Sequence, residues 1–152
     1  MKHDLSILAI EDSSADFRLI ERHLRLAGLS ATCKRIETFE ELTQAVEAGG
    51  WDIILSDYSV PQLNFENDLA LIHQRLPDTP VILVSGSIGE EKAVELLKLG
   101  VWDFILKDNL TRLVPSIERC LREVSDRFAR KTAEKELSEQ QQLLTVVVEG
   151  ST

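Results

Sequence analysis

Trp51-Asp52-Ile53-Ile54-Leu55-Ser56-Asp57-Tyr58-Ser59-Val60-Pro61 carries an apolar strand straight into a carboxylate. Ile53, Ile54 and Leu55 follow one another without polar alternation, which predicts a strand covered on both faces, as in a parallel sheet. Asp57 stands where that strand stops. Ligands of open α/β sheets bind just beyond the carboxyl ends of the strands, so an acid at this point is placed for chemistry. Taken alone, the same acid could simply start a turn closed by Pro61. What the other strands end in decides between the two.

Upstream, Leu5 to Ile10 is a mostly apolar strand closing on Glu11-Asp12. Ser13 or Ser14 caps a helix carrying Phe17, Ile20, Leu24 and Ala27, with Asp16 in its first turn and Gly28 at its end. Ala31 to Ile36 gives a second strand. Thr38 with Glu41 forms a capping box for a helix through Leu42, Ala45 and Val46 to Gly49-Gly50. Downstream of Asp57 a loop leads to a helix near Asn67 to Leu76, fenced by Pro77 and Pro80, and then to the apolar strand Val81 to Val84, which ends at Ser85-Gly86-Ser87. A helix from Glu90 to Leu99 carries Ala93, Val94, Leu96 and Leu97 and closes on Gly100. Val101 to Leu106 is the fifth strand, ending at Lys107. Asn109 to Leu113 reads as a turn, and Pro115 as the first position of a last helix. Five strands alternating with five helices predict an α/β fold: a doubly wound five-stranded parallel sheet of order 2-1-3-4-5 with helices on both faces.

The 152 residues suffice for one domain and a modest extension. A formal net charge of -9 argues against a nucleic-acid surface, which needs a basic face. Cys33 and Cys120, with no secretory leader, read as free thiols of a reducing cytoplasm rather than a disulfide. No apolar run is long enough to span a bilayer.

The strand ends converge. Glu11-Asp12, Asp57, Ser85 and Lys107 all fall at one edge of the predicted sheet. Three carboxylates in one pocket repel unless a cation joins them, and a hard divalent ion such as magnesium takes oxygen ligands of this kind. A carboxylate beside such an ion and a fixed ammonium is a credible nucleophile toward phosphorus, because phosphoryl transfer needs mainly positioning and charge neutralisation. Lys107 would pair with one phosphoryl oxygen and Ser85 would donate a hydrogen bond to another.

From about residue 4 to residue 122 the chain resembles the receiver domain of bacterial response regulators and hybrid sensor kinases. Ile10-Glu11-Asp12 resembles the acidic pocket, Asp57-Tyr58-Ser59-Val60-Pro61 the phosphoacceptor loop, Val84-Ser85-Gly86 the hydroxyl position, and Phe104-Ile105-Leu106-Lys107 the switch aromatic followed by the lysine. The resemblance implies a flavodoxin-like sheet in which Asp57 accepts a phosphoryl group from a partner histidine kinase or phosphotransfer protein. It implies magnesium held by Asp12, Asp57 and the Ser59 carbonyl, with Glu11 reaching it through water. Ser85 and Lys107 then move toward the phosphoryl group. Phe104 fills the space Ser85 leaves and reshapes the face made by the fourth helix, fifth strand and fifth helix. Such a domain phosphorylates and dephosphorylates itself rather than turning over a separate substrate.

Two positions depart from that pattern. Asp108 stands where the family usually has proline after the lysine, and Phe65 where it usually has glycine, which predicts a displaced or mobile loop from Gln62 to Asn67. Trp102, beside the switch face, reads as a partner contact or as cover for a strand end.

Residues 123–152 read as a helical linker. Ile117, Leu121, Val124 and Phe128 keep a heptad-like rhythm that Lys131 and Lys135 interrupt and Leu137, Leu144 and Val148 resume, so a dimeric coiled coil or a solvated single helix would both fit. Leu143 to Thr152 resembles the opening of a PAS sensor domain, which points to a fragment of a longer signalling protein. A homodimer could form through the switch face or this helix. The rival readings are a phosphorylation-independent interaction domain, which Phe65 and Asp108 leave open, and an aspartate-nucleophile phosphatase, for which the chain has no spare cap segment. Glu-Asp-Ser-Ser after the first strand disfavours a nucleotide-binding Rossmann domain, which needs a glycine-rich turn there.

Overall fold

The computed structural model describes residues 4–150, with side chains through residue 143. Its elements run β1 (Leu5–Ile10), α1 (Ser14–Leu26), β2 (Ala31–Ile36), α2 (Phe39–Ala48), β3 (Ile53–Ser56), α3 (Phe65–Arg75), β4 (Val81–Ser85), α4 (Glu90–Lys98), β5 (Asp103–Leu106), a 3-10 turn (Leu110–Arg112) and α5 (Leu113–Gly150). The strands form one parallel sheet of order β2-β1-β3-β4-β5. The apolar strands are central: every residue of β3 and β4 is buried.

Alternation along each strand divides the core between the two faces. Ile7, Ile53, Leu55, Ile82, Val84 and Ile105 point to the side where Ile20 and Leu24 of α1 and Ile117 of α5 pack. Leu8, Ile10, Ile54 and Leu83 point to the other, against Leu42 of α2, Leu69 and Ile72 of α3, and Leu96 of α4. Side-chain caps fix the helix starts. The Ser13 hydroxyl accepts from the Asp16 amide at 3.1 Å, Thr38 from the Glu41 amide at 3.2 Å, and Asn64 from the Asn67 amide at 3.0 Å. Past α4, Gly100 adopts φ 116°, and a Cβ there would collide with the His73 imidazole of α3.

Four expectations are corrected. Helix α3 begins at Phe65, not near Asn67, because Phe65 is buried and meets the Tyr58 ring at a centroid distance of 5.6 Å. The residue in place of glycine thus adds to the core and opens the helix, and residues 65–67 form its first turn rather than a loop. β5 starts at Asp103, two residues later than the apolar run suggested. α5 starts at Leu113, which puts Pro115 inside its first turn rather than at its first position. Of the α4 residues read as an inward face, only Leu96 is buried, while Val94 and Leu97 are exposed. Trp102 is half-buried against the α1/α5 side of the core. Both cysteines are free, and burial pushes the Cys33 thiol up to about 11.

The chain divides into a compact unit ending at Leu121 and a helical unit beginning at Arg122. In the second unit, Phe128, Leu137 and Leu143 are exposed. The stretch expected to open a PAS domain is helical through Gly150, and its last two residues lie outside the described residues. Among the described residues, no helix is long and apolar enough to cross a membrane.

Candidate functional site

Strand register assembles the site. Ile10 pairs with Ser56, so Glu11 and Asp57 leave the sheet side by side, and the Asp57 amide donates to the Ile10 carbonyl at 2.9 Å. Ser85 pairs with Leu106, and the Lys107 amide donates to the Ser85 carbonyl at 2.9 Å. The Lys107 ammonium then donates to Glu11 at 2.8 Å, Asp57 at 2.9 Å and Asp16 at 2.8 Å. An ammonium has three N–H donors, and these three carboxylates take all of them.

Glu11 is 3% exposed, and carboxylate oxygens of Glu11, Asp12 and Asp57 lie within 4.8 Å of one another. Burial is the main force raising the Glu11 carboxyl to about 7; Lys107 opposes the rise and Asp57 adds to it. Burial works against the charge of Lys107, but its bonds to Asp16, Glu11 and Asp57 outweigh that and hold the ammonium above its ordinary pKa. Asp16, bonded to the same ammonium, is held below the usual carboxylate range. Three hard oxygens converging on one point, one of them reluctant to ionise without a nearby cation, suit a divalent ion of the magnesium type.

Neighbouring groups hold this arrangement. Arg35 of β2 donates to the carbonyls of Glu11 at 3.2 Å and Asp12 at 3.5 Å, which fixes the loop between β1 and α1. The Ser59 amide donates to Asp57 at 3.4 Å. Ser59 is exposed, Ser85 is buried at the end of β4, and Phe104 is half-buried against the α2–α4 side of the core. Tyr58, next to Asp57, donates to Glu66 of α3 at 3.2 Å. Lys92 of α4 bonds the same carboxylate at 3.2 Å and lies 5.5 Å from the Tyr58 ring centroid. The segment after Asp57 is therefore tied to both α3 and α4.

Of the residues singled out in the sequence, Glu11, Asp12, Asp57 and Lys107 come together in the structure, and Ser85 and Phe104 lie on the strands beside them. Arg35 and Lys92 carry no such signal in the sequence, and Asp16 there is only a helix-start acid.

A parallel sheet of this order, with an acid trio and a lysine at its carboxyl edge, defines a doubly wound α/β domain with a candidate cation site at that edge. The response regulator receiver domain profile matches residues 7–118, and the chain belongs to that family. Its members are phosphorylation-dependent switches of two-component signalling, and they typically bind magnesium at such an acidic cluster. The chain is 29% identical over 116 residues to the DNA-binding transcriptional regulator NtrC of Escherichia coli strain K12, covering 76% of this chain and 24% of that protein. It is 31% identical over 120 residues to the two-component response regulator ARR7 of Arabidopsis thaliana, covering 68% of this chain and 56% of that one. The chain thus spans about a quarter of NtrC. Among solved structures, the receiver domain of a LuxO repressor protein from Vibrio parahaemolyticus matches with a TM-score of 0.74 at 24% identity, covering 84% of this chain and 97% of that one. A CheY-like receiver from Methanospirillum hungatei gives 0.70 at 23% identity, covering 82% and 99%.

Proposed function

We propose that Asp57 is the phosphoacceptor of a two-component switch, supplied by a partner histidine kinase or phosphotransfer protein. The observation that carries this reading is the Lys107 ammonium on Asp57 Oδ2 at 2.9 Å, beside oxygens of Glu11 and Asp12 that could share a cation with Asp57. A carboxylate oxygen of Asp57 attacks phosphorus, the phosphorus–nitrogen bond of the donor breaks, and the imidazole leaves with the electron pair. Glu11, Asp12, Asp57 and the Ser59 carbonyl would hold magnesium, whose chemistry here is to neutralise the charge of the transferring group. Lys107 bonds one phosphoryl oxygen and Ser85 another. Water attack on phosphorus later returns the free carboxylate.

The acyl phosphate brings close to two negative charges to Asp57. It draws Ser85 and Lys107 inward and lets Phe104 turn into the space that Ser85 leaves. Tyr58, Glu66 and Lys92 carry the change toward α4, where Val94 and Leu97 are exposed, as are Leu99 after the helix and Leu106 of β5. That face, or the exposed helix after Leu121, would form a homodimer or receive a partner. A beryllofluoride-activated receiver of NtrC4 with this fold, at a TM-score of 0.68, is itself a dimer. Residues 1–122 would serve as the receiver and the exposed helix after them as a linker.

Beryllofluoride with magnesium, a stable stand-in for the acyl phosphate, tests the switch. Amide NMR shifts are expected at Asp57 and Ser85, at Phe104 and along α4. Shifts confined to residues that touch Asp57 would show that the site binds the mimic without switching, and would favour an interaction domain indifferent to phosphorylation.

A further inference from the structure

Lys107 donates to three acids, and they are not equivalent. Glu11 and Asp57 belong to the trio whose oxygens could share one cation, whereas Asp16 stands outside it. A divalent ion drawing on the Glu11 and Asp57 oxygens competes with the ammonium for them, because two cations on the same lone pairs repel. The ammonium then needs an acceptor that the metal does not take. Asp16 offers one at 2.8 Å, from a side chain 40% exposed that stays solvated as a carboxylate. It also lies in the first turn of α1, where the helix dipole favours negative charge.

We infer that Asp16 is a positioning residue for Lys107: it holds the ammonium at the edge of the site when a divalent ion occupies the Glu11–Asp12–Asp57 pocket. The lysine keeps its other N–H groups for a phosphoryl oxygen on Asp57. The inference rests on the reading of that trio as a magnesium pocket. In the competing explanation Asp16 is only a nearby negative charge that attracts any cation through space.

Calorimetric titration of the unphosphorylated full chain with magnesium separates the two. The set comprises the unaltered chain, Asp16→Asn, Lys107→Met and the double variant, each checked for its fold by circular dichroism. Asp16→Asn is expected to weaken magnesium binding by about three- to tenfold, the scale of one partly exposed charge contact. In the Lys107→Met background, where no ammonium needs parking, the same substitution should change affinity by less than about twofold. Equal weakening in both backgrounds would overturn the positioning role in favour of a through-space charge. An unaltered chain that binds magnesium but is indifferent to Asp16→Asn would overturn the positioning role alone. An unaltered chain without magnesium affinity would overturn it together with the metal-pocket reading.

Discussion

Lys107→Met is expected to destabilise the domain by about 1–3 kcal/mol at about pH 8 and by much less at about pH 5. Among the described residues, the ammonium is the one cation bonded to the side-chain carboxylates of Glu11, Asp16 and Asp57, and Glu11 is buried. Without it, a buried carboxylate faces Asp57 with no compensating charge, which costs more than a surface pair would. The pH dependence follows from Glu11. Its folded pKa is already raised from 4.5 to about 7, chiefly by burial, and loss of Lys107 removes the influence opposing that rise. A raised carboxyl leaves stability intact below the unfolded pKa and withdraws it as pH climbs through the folded value. The deficit of the variant should therefore open above neutrality. Urea unfolding at both pH values checks this. A deficit that is the same at both would show that Lys107 acts through packing of its stem rather than through its charge.

Asp68→Leu is expected to stabilise the domain, by about 1–3 kcal/mol at neutral pH. Asp68 faces inward from α3 at 3% exposure, and its Oδ1 is the one buried side-chain polar atom without a hydrogen-bond partner among the described residues. Burial pushes its carboxyl up from 3.8 to about 6. Being raised, this group favours folding fully below its unfolded pKa and loses that contribution as pH rises through about 6. At neutral pH the native chain carries the whole cost of an ionised, unpartnered carboxylate. The gain from leucine should thus be largest above about pH 6 and should shrink toward zero below about pH 4. Thermal unfolding across that range measures it. Destabilisation at neutral pH would mean that the carboxylate has a compensating partner when ionised.

Sheet order, helix count and the acid-lysine site were legible in the sequence because each rests on short local patterns. The unbroken apolar runs at β3 and β4 are short, β-branched-rich and bounded by turn residues, which favours strands covered on both faces, and the residues ending β1, β3, β4 and β5 then share one edge by topology. The misreadings have physical causes. Phe65 was read against the glycine expected there, although a large apolar side chain beside Asn64 is a sound helix opening once Tyr58 supplies a packing partner. In α4, Val94 and Leu97 satisfy helical spacing for burial, yet a helix over a sheet edge covers only part of its apolar surface, and Leu96 alone is enclosed. Asp16 meets Lys107 across 91 residues and Arg35 meets Glu11 across 24, separations at which no local pattern reports a contact. Asp68 reads as a polar helix position; only the packed structure reveals its burial.

Asp57 is proposed to accept a phosphoryl group with the help of a divalent ion. Intact-mass analysis after incubation with a small phosphodonor, with and without magnesium and beside Asp57→Asn, tests it most directly. A single magnesium-dependent phosphoryl adduct on the native chain, absent from the Asp57→Asn chain, is the predicted result. An adduct that persists in Asp57→Asn, or none on the native chain under any condition, would contradict it.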